Sequence, residues 1–202
     1  VKQTELETEV KFLVKDLPAV ETRLRQLGGR ILQARSYEIN LRFDTPDRKL
    51  QRAAQVLRLR RDTKAWVTYK GRGQEQDGII SRQEIEIEVD AFETTQHLLE
   101  ALGFEVVFIY EKYRTVYALG ESRVMLDELP YGSFVEIEGE PPGIRSTAEQ
   151  LQLNWQAAIP ASYHVLFERT AQVLKLPFRD LTFKNFTSRT VHAAELGIQA
   201  AD

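Results

Sequence analysis

Glu5-Leu6-Glu7-Thr8-Glu9-Val10-Lys11 alternates a charged side chain with an uncharged one along its whole length. A strand sends successive side chains to opposite faces, so Glu5, Glu7, Glu9 and Lys11 share one face. Leu6, Thr8, Val10 and Phe12 take the other, as a core-facing layer requires. One such strand would be an ordinary wet sheet face. The pattern returns, however. Glu84, Glu86 and Glu88 alternate with Ile85, Ile87 and Val89, and Glu136 and Glu138 flank Ile137. Arg58 and Arg60 alternate with Leu57 and Leu59, while Lys112 and Arg114 stand two apart in a further strand-like segment. Acidic and basic strands in one chain predict sheet faces turned toward each other around a charged cavity.

The 202 residues are enough for one domain with a real core, 43% being hydrophobic and 28% charged. A net charge of -3 gives no reason to expect a nucleic-acid partner, although it can conceal segregated acidic and basic clusters. With no cysteine, disulfides, thiolate metal sites and cysteine nucleophiles are excluded. No run of about 18–20 apolar residues is present to span a membrane. The amino-terminal segment lacks signal-peptide features, so no membrane association and a cytoplasmic location are expected.

The first strand is expected over Leu6 to Leu13, followed by a helix capped by Asp16, with Pro18 in its first turn and Gly28-Gly29 ending it. A long extended segment runs from Arg30 to Phe43, then a turn at Asp44-Thr45-Pro46-Asp47. Strands over Val56–Arg61 and Ala65–Lys70 lead through a loop from Gly71 to Gly78 into the strand Ile79–Val89. Asp90 with Glu93 reads as a capping box for a helix ending at Leu102-Gly103. Strands near Glu105–Leu119, Ser122–Glu128 and Phe134–Glu140 follow, and the chain turns helical after Pro141-Pro142-Gly143. An offset of 75 residues relates Glu9 to Glu84 and Leu24, Leu27 and Gly28 to Leu99, Leu102 and Gly103. Each unit reads charged strand, amphipathic helix, glycine stop, long strand.

Charges lining an enclosed sheet face are costly unless opposite charges, water, metal or ligand compensate them. Phosphate oxygens call for arginine and lysine, while a divalent cation bridging a polyphosphate calls for hard carboxylate oxygens. Both sets in one chain describe a cation–polyphosphate complex held from two sides. No phosphate-binding G-x-x-x-x-G-K-[ST] loop is present, and Gly71 and Gly73 read as turn residues. His97, His164 and His192 form no ligand cluster, and Ser81, Ser133 and Ser162 have no adjacent acid–base triad.

The ordered set Glu7-Thr8-Glu9-Val10-Lys11, Leu57-Arg58-Leu59-Arg60, Thr68-Tyr69-Lys70-Gly71, Arg82-Gln83-Glu84-Ile85-Glu86, Lys112-Tyr113-Arg114, Asp127 and Phe134-Val135-Glu136-Ile137-Glu138 resembles the CYTH superfamily, the triphosphate tunnel metalloenzymes, over residues 3–168. The resemblance implies an α+β fold, an eight-stranded antiparallel β-barrel tunnel with outer helices over residues 1–170. A helical extension over residues 171–202 would pack on the barrel or at an interface, a homodimer included. By the same resemblance, Glu7, Glu9, Glu136 and Glu138 look like the principal metal-side carboxylates, assisted by Glu84 and Glu86. Asp127 is assigned either to the metal or to positioning Arg114. Lys11, Arg58, Arg60, Lys70, Arg82, Lys112 and Arg114 look like phosphate-side groups, and Arg123 reads as a rim charge.

The implied cofactor is Mg2+ or Mn2+, and the implied partner is a triphosphate-containing small molecule. Hydrolysis of inorganic triphosphate or a related triphosphate is the expected activity. The alternatives are a class IV adenylyl cyclase making cyclic AMP and pyrophosphate from ATP, a thiamine triphosphatase, and a non-catalytic polyphosphate-binding module. A cyclase needs an adenine and ribose pocket, for which Tyr37, Asn40, Phe43 and Tyr69 are the candidates; Trp66 and Trp155 read as packing residues.

Overall fold

The computed structural model describes residues 5–202; residues 3 and 4, where the family resemblance begins, lie outside them, as does the facing of the Glu5 side chain. Nine strands and six helices follow in the order β1 (Glu5–Val14), α1 (Leu17–Gln26), β2 (Arg30–Asp44), α2 (Lys49–Arg52), β3 (Val56–Arg61), β4 (Ala65–Lys70), β5 (Gln74–Gln76), β6 (Ile79–Val89), α3 (Phe92–Ala101), β7 (Glu105–Leu119), β8 (Ser122–Leu129), β9 (Gly132–Glu138), α4 (Pro141–Gln150), α5 (Tyr163–Leu174) and α6 (Ala193–Leu196). The strands form one antiparallel sheet in the order β1-β9-β8-β7-β2-β3-β4-β6-β5, and β1 also pairs with β6.

The expected eight-stranded barrel is corrected by this pairing. Eight strands pair in a ring, with β5 as a ninth strand on β6, but the ring is not a barrel. A barrel needs one regular stagger from strand to strand. Here β6 divides its length, giving Ile80–Glu84 to β1 and Glu84–Val89 to β4. β1 changes partner at Glu9, from β6 to β9, and the β2–β7 ladder carries three register shifts. Pairing is handed on over part-lengths instead of running at one stagger.

The two sequence units related by the 75-residue offset pair with each other, β1 with β6 and β2 with β7. Their helix ends also match. Gly28 and Gly103 both sit at positive φ (83° and 89°). The amide of Gly29 donates to the Leu24 carbonyl at 2.9 Å and that of Phe104 to the Leu99 carbonyl at 3.1 Å. A residue with a Cβ would be strained at either glycine, which explains the identity at that position.

Three apolar clusters surround the ring. Val10, Phe12, Val124, Leu126, Val135 and Ile137 turn outward from β1, β8 and β9 against Val20 and Leu24 of α1 and Ile144, Ala148 and Leu151 of α4. Leu41, Phe43 and Leu59 turn outward against Phe92 and Leu99 of α3. α3 starts at Phe92 with Ala91 as its N-cap and no side-chain cap bond, so the expected Asp90 capping box does not form; burial of Phe92 in this core sets the start instead. Asp16 does cap α1, accepting from the Ala19 amide at 2.9 Å.

The third cluster explains how one end of the ring is covered. Along each inward face the charges give way to apolar residues: Lys11 to Leu13, Glu136 to Phe134, Asp127 to Leu129, and Lys112 through Tyr110 to Phe108. These residues pack with Tyr163, Leu166 and Phe167 of α5 and with Leu196 of α6. The last residues fold back onto the first strand. Ala201 donates its amide to the Leu13 carbonyl at 2.8 Å, and the Asp202 carboxylate accepts from the amides of Lys15 (2.8 Å) and Asp16 (2.7 Å).

Asp44 organises the turn between β2 and β3. Its buried carboxylate accepts from the amides of Thr45 at 2.7 Å, Leu50 at 2.9 Å and Gln51 at 2.9 Å. Burial alone would raise its pKa, but the three amides outweigh it and the net shift is downward. The stabilisation is therefore present above the ordinary carboxylate range and is lost as pH falls through the lowered value. Asp44→Ala is expected to cost about 1–3 kcal/mol at neutral pH, measured by urea unfolding, with a smaller loss at pH 3. A change below about 0.5 kcal/mol at neutral pH would show that the amides find other partners.

Candidate active site

A cavity of about 820 Å³ lies inside the ring, and residues of β1, β2, β3, β4, β6, β7, β8, β9 and the start of α5 line it. Strand alternation delivers the charged side chains there, with many of their apolar neighbours drawn into outer clusters while Leu6, Ile85 and Ile87 stay exposed. Glu7, Glu9, Glu84, Glu86, Glu136 and Glu138 all line this cavity, as do Lys11, Arg58, Arg60, Lys70, Arg82, Lys112 and Arg114. They fall into distinct groups within it.

Glu7, Glu9 and Glu138 form an acidic cluster, each offering a carboxylate oxygen within 4.8 Å of the others. Glu9 and Glu138 are direct partners across β1 and β9. Arg82 donates to both Glu7 and Glu9 at 3.0 Å, and Lys70 bridges Glu7 at 2.7 Å and Glu84 at 3.0 Å. Glu138 is left with the more exposed Arg123 at 3.9 Å. Burial, then repulsion from Glu7 and Glu9, pushes the Glu138 carboxyl up to about 7. Three converging hard oxygen donors with one undercompensated charge suit a divalent cation.

Glu136, expected beside these residues, is engaged elsewhere. It accepts from Lys11 at 2.7 Å and pairs with Arg114. Burial opposes its ionisation, but Lys11 and Arg114 hold its carboxyl well below the usual range. Asp127 is fully buried and accepts from Lys112 Nζ (2.9 Å), Arg114 Nε (2.6 Å), Arg114 Nη2 (2.5 Å) and the Tyr163 hydroxyl (2.9 Å). Of the two roles expected for Asp127, this geometry is the one that positions Arg114.

Arg58 and Arg60 each approach Glu86 no closer than 3.6 Å. Arg58 donates to Tyr110 at 3.3 Å and to Thr68 at 3.1 Å, and the Thr68 hydroxyl in turn donates to Glu86 at 2.9 Å. Among the described residues neither buried Nε makes a hydrogen bond, although that of Arg60 has Asp62 Oδ2 at 3.5 Å. These forks retain donors for an incoming anion.

Three inward residues of β2 escaped the sequence reading of the charged face. Glu38 is 1% exposed and 3.5 Å from Lys112, with neither oxygen hydrogen-bonded. Burial disfavours its charge, yet Lys112, Arg114, Arg60 and Arg58 together lower its carboxyl to about 2. Asn40 is buried and Arg42 lines the cavity. Their spacing of two was the available signal, masked because the triplet Glu38-Asn40-Arg42 mixes signs. The nucleoside-pocket candidates separate: Asn40 shares the inward face, whereas Tyr37 is exposed beside Tyr113 and Phe43 lies in an outer core. Trp66, expected to be a packing residue, lines the cavity with Arg60 5.7 Å from its ring centroid.

The raised Glu138 pKa has a definite sign. In the metal-free protein the neutral carboxyl is favoured by the fold, so stability falls as pH rises from the ordinary carboxylate value to about 7. Glu138→Gln is expected to melt higher than the parent at pH 8, to match it at pH 5, and to lose the thermal shift produced by Mg2+ or Mn2+. Thermal melts at both pH values, with and without metal, check this; a metal shift equal to the parent's would remove Glu138 from the cluster's role.

The model of the CYTH domain matches residues 5–158. A Methanocaldococcus jannaschii protein named as a candidate adenylate cyclase is 29% identical over 136 residues, covering 66% of this chain and 76% of that protein. A solved Vibrio parahaemolyticus structure, also named as a candidate adenylate cyclase, has a TM-score of 0.69 at 24% identity, covering 80% of this chain and 97% of that one. A Pyrococcus horikoshii structure has a TM-score of 0.67 at 26% identity, over 78% of this chain and 96% of that one. The domain match spans most of the sequence and includes every charged strand described above. The chain belongs to the CYTH domain family, the triphosphate tunnel metalloenzymes.

Proposed function

We propose that the protein is a metal-dependent hydrolase of inorganic triphosphate or a closely related triphosphate, cleaving a phosphoric anhydride with water. The observation that carries this reading is the carboxylate cluster of Glu7, Glu9 and Glu138 sharing one cavity with arginines whose donors are not all satisfied. These three carboxylates would hold Mg2+ or Mn2+, which supplies charge neutralisation on the phosphate chain and activation of water. Arg58 and Arg60 present planar forks to equatorial phosphate oxygens, and Lys11, Lys112 and Arg114 add positive potential from β1 and β7. Asp127 and Glu136 keep those cations oriented before substrate arrives, so little reorganisation is needed as charge moves onto the bridging oxygen. Arg82 and Lys70, tied to Glu7, Glu9 and Glu84, link the acidic cluster to the phosphate side.

Arg58→Lys and Arg60→Lys keep the charge and lose the fork. Each is expected to lower kcat/KM for triphosphate by roughly 10- to 100-fold, a loss of the size of a charged hydrogen bond, with the melting temperature nearly unchanged. Steady-state phosphate release decides it, and parental kinetics in the double alanine variant would contradict the assignment.

A second reading has its own support. The Methanocaldococcus jannaschii relative is named as a candidate adenylate cyclase, and Trp66 beside Arg60 offers an aromatic face in the cavity. Cyclisation needs the same charge stabilisation, with the ribose 3′-hydroxyl attacking the α-phosphorus and pyrophosphate leaving. Inorganic triphosphate is expected to be used at least as efficiently as ATP or thiamine triphosphate. A side-by-side assay with Mg2+ and Mn2+, resolving orthophosphate, pyrophosphate and cyclic AMP, measures this. Predominant cyclic AMP and pyrophosphate from ATP would establish the cyclase instead, and tight binding without turnover of any substrate would leave a binding module.

A further inference from the structure

Arg42 stands apart from the seven cations named above. Each of those has a carboxylate oxygen within 3.6 Å. Among the described residues, Arg42 is in no such pair and its side chain makes no hydrogen bond, although it lines the same cavity. It faces Arg58 across the β2–β3 ladder and Phe108 across the β2–β7 ladder. Burial works against its charge, the Tyr110 hydroxyl and Glu168 favour it, and Arg82 and Arg58 add repulsion; the net shift is downward. A half-buried guanidinium that faces a cavity and has no carboxylate of its own keeps its donors free for an arriving anion.

The surroundings of Arg42 also fit an anion. Phe108, its ladder partner, packs on His164 with ring centroids 4.3 Å apart, which brings the first turn of α5 to the same place. Ala161, Ser162, Tyr163 and His164 all line the cavity. The Ser162 side chain caps the Val165 amide at 3.3 Å, leaving the amides of Tyr163 and His164 ahead of the first intrahelical bond at the positive end of a twelve-residue helix. Behind the cavity lining, Asn40, two residues from Arg42 on the same strand face, is 0% exposed with both amide nitrogen and oxygen unpartnered among the described residues. Arg58 contributes its own unpartnered Nε.

We propose that Arg42, with Arg58 and the first turn of α5, forms an anion subsite that takes one phosphoryl group of the substrate and so makes the site selective for polyphosphate chain length. This deepens the hydrolase reading and rests on it. A diphosphate engaged by the acidic cluster and its neighbouring cations leaves this subsite unused; a triphosphate fills it.

Calorimetric titration with nonhydrolysable imido analogues of triphosphate and of diphosphate, both with Mg2+, tests the assignment. Arg42→Gln is expected to weaken the triphosphate analogue roughly 10- to 100-fold, the scale of a charged hydrogen bond, and the diphosphate analogue by less than about threefold. Arg42→Lys should fall between, because a point charge replaces a fork. Without ligand, Arg42→Gln should melt no lower than the parent, since no protein partner of that side chain is lost. Equal weakening of both analogues, or of neither, overturns the subsite while the parent's triphosphate binding still stands. A parent that binds neither analogue overturns the hydrolase reading and the subsite with it.

Discussion

Asp127 has no exposure to water and accepts four hydrogen bonds from Lys112, Arg114 and Tyr163. A buried ion in this position is tolerable only while its partners remain, since removing one partner of a buried pair typically costs about 3–5 kcal/mol. Arg114 carries the constraint on to Glu136, and Glu136 carries it to Lys11 on β1. One chain of alternating charge therefore joins β7, β8, β9 and β1, and the Tyr163 hydroxyl fastens α5 to it. The apolar clusters hold the helices against the ring, strand alternation turns the charges inward, and this ionic chain ties them to one another across four strands.

Compensation is uneven around the cavity, and the unevenness is chemically informative. Where Asp127, Glu136 and Glu38 meet Lys11, Lys112 and Arg114, three carboxylates face three cations at 3.5 Å or less. At Glu138 negative charge is in excess, and the carboxyl is correspondingly reluctant to ionise. At Arg58, Arg60 and Arg42 positive charge has weak or no carboxylate contact. A neutral ligand would satisfy neither excess. A polyanion carrying its own divalent cation, as in the proposed function, would satisfy both.

Much of this could be read from the residues because one physical rule, alternation along a strand, placed Glu7, Glu9, Arg58, Arg60, Glu84, Glu86, Lys112 and Glu136 without knowledge of their partners. The 75-residue offset likewise anticipated two units, and these do pair strand to strand. Alternation says nothing about how far along each strand a pairing extends, and that is why a regular barrel was expected where part-length pairing occurs. It also cannot say which carboxylates converge: Glu136 follows the same spacing as Glu138 yet pairs with Lys11 and Arg114 instead of joining Glu7 and Glu9. β5 was hidden in a glycine-containing loop of charged and amide residues, and α2 in a four-residue segment held by Asp44. β5 pairs locally with the strand that follows it, Gln76 opposite Ile79, and α2 rests on a single side chain, signals too short for periodicity to carry.

The placement of β1 has a consequence for the order of folding. This strand leaves the ribosome before its partners, yet Thr8 meets Ser81 across 73 residues, and the amides of Lys15 and Asp16 meet Asp202 across 187 and 186. Contacts of such separation must overcome loop-closure entropy before they give any stability, and chains dominated by them fold slowly. The local units β2–β3–β4 and β7–β8–β9 can form while β1, with Glu7, Glu9 and Lys11 still hydrated, waits. Closing the ring dehydrates those charges together with their counterions, so the acidic cluster exists only once β1 has met both β6 and β9.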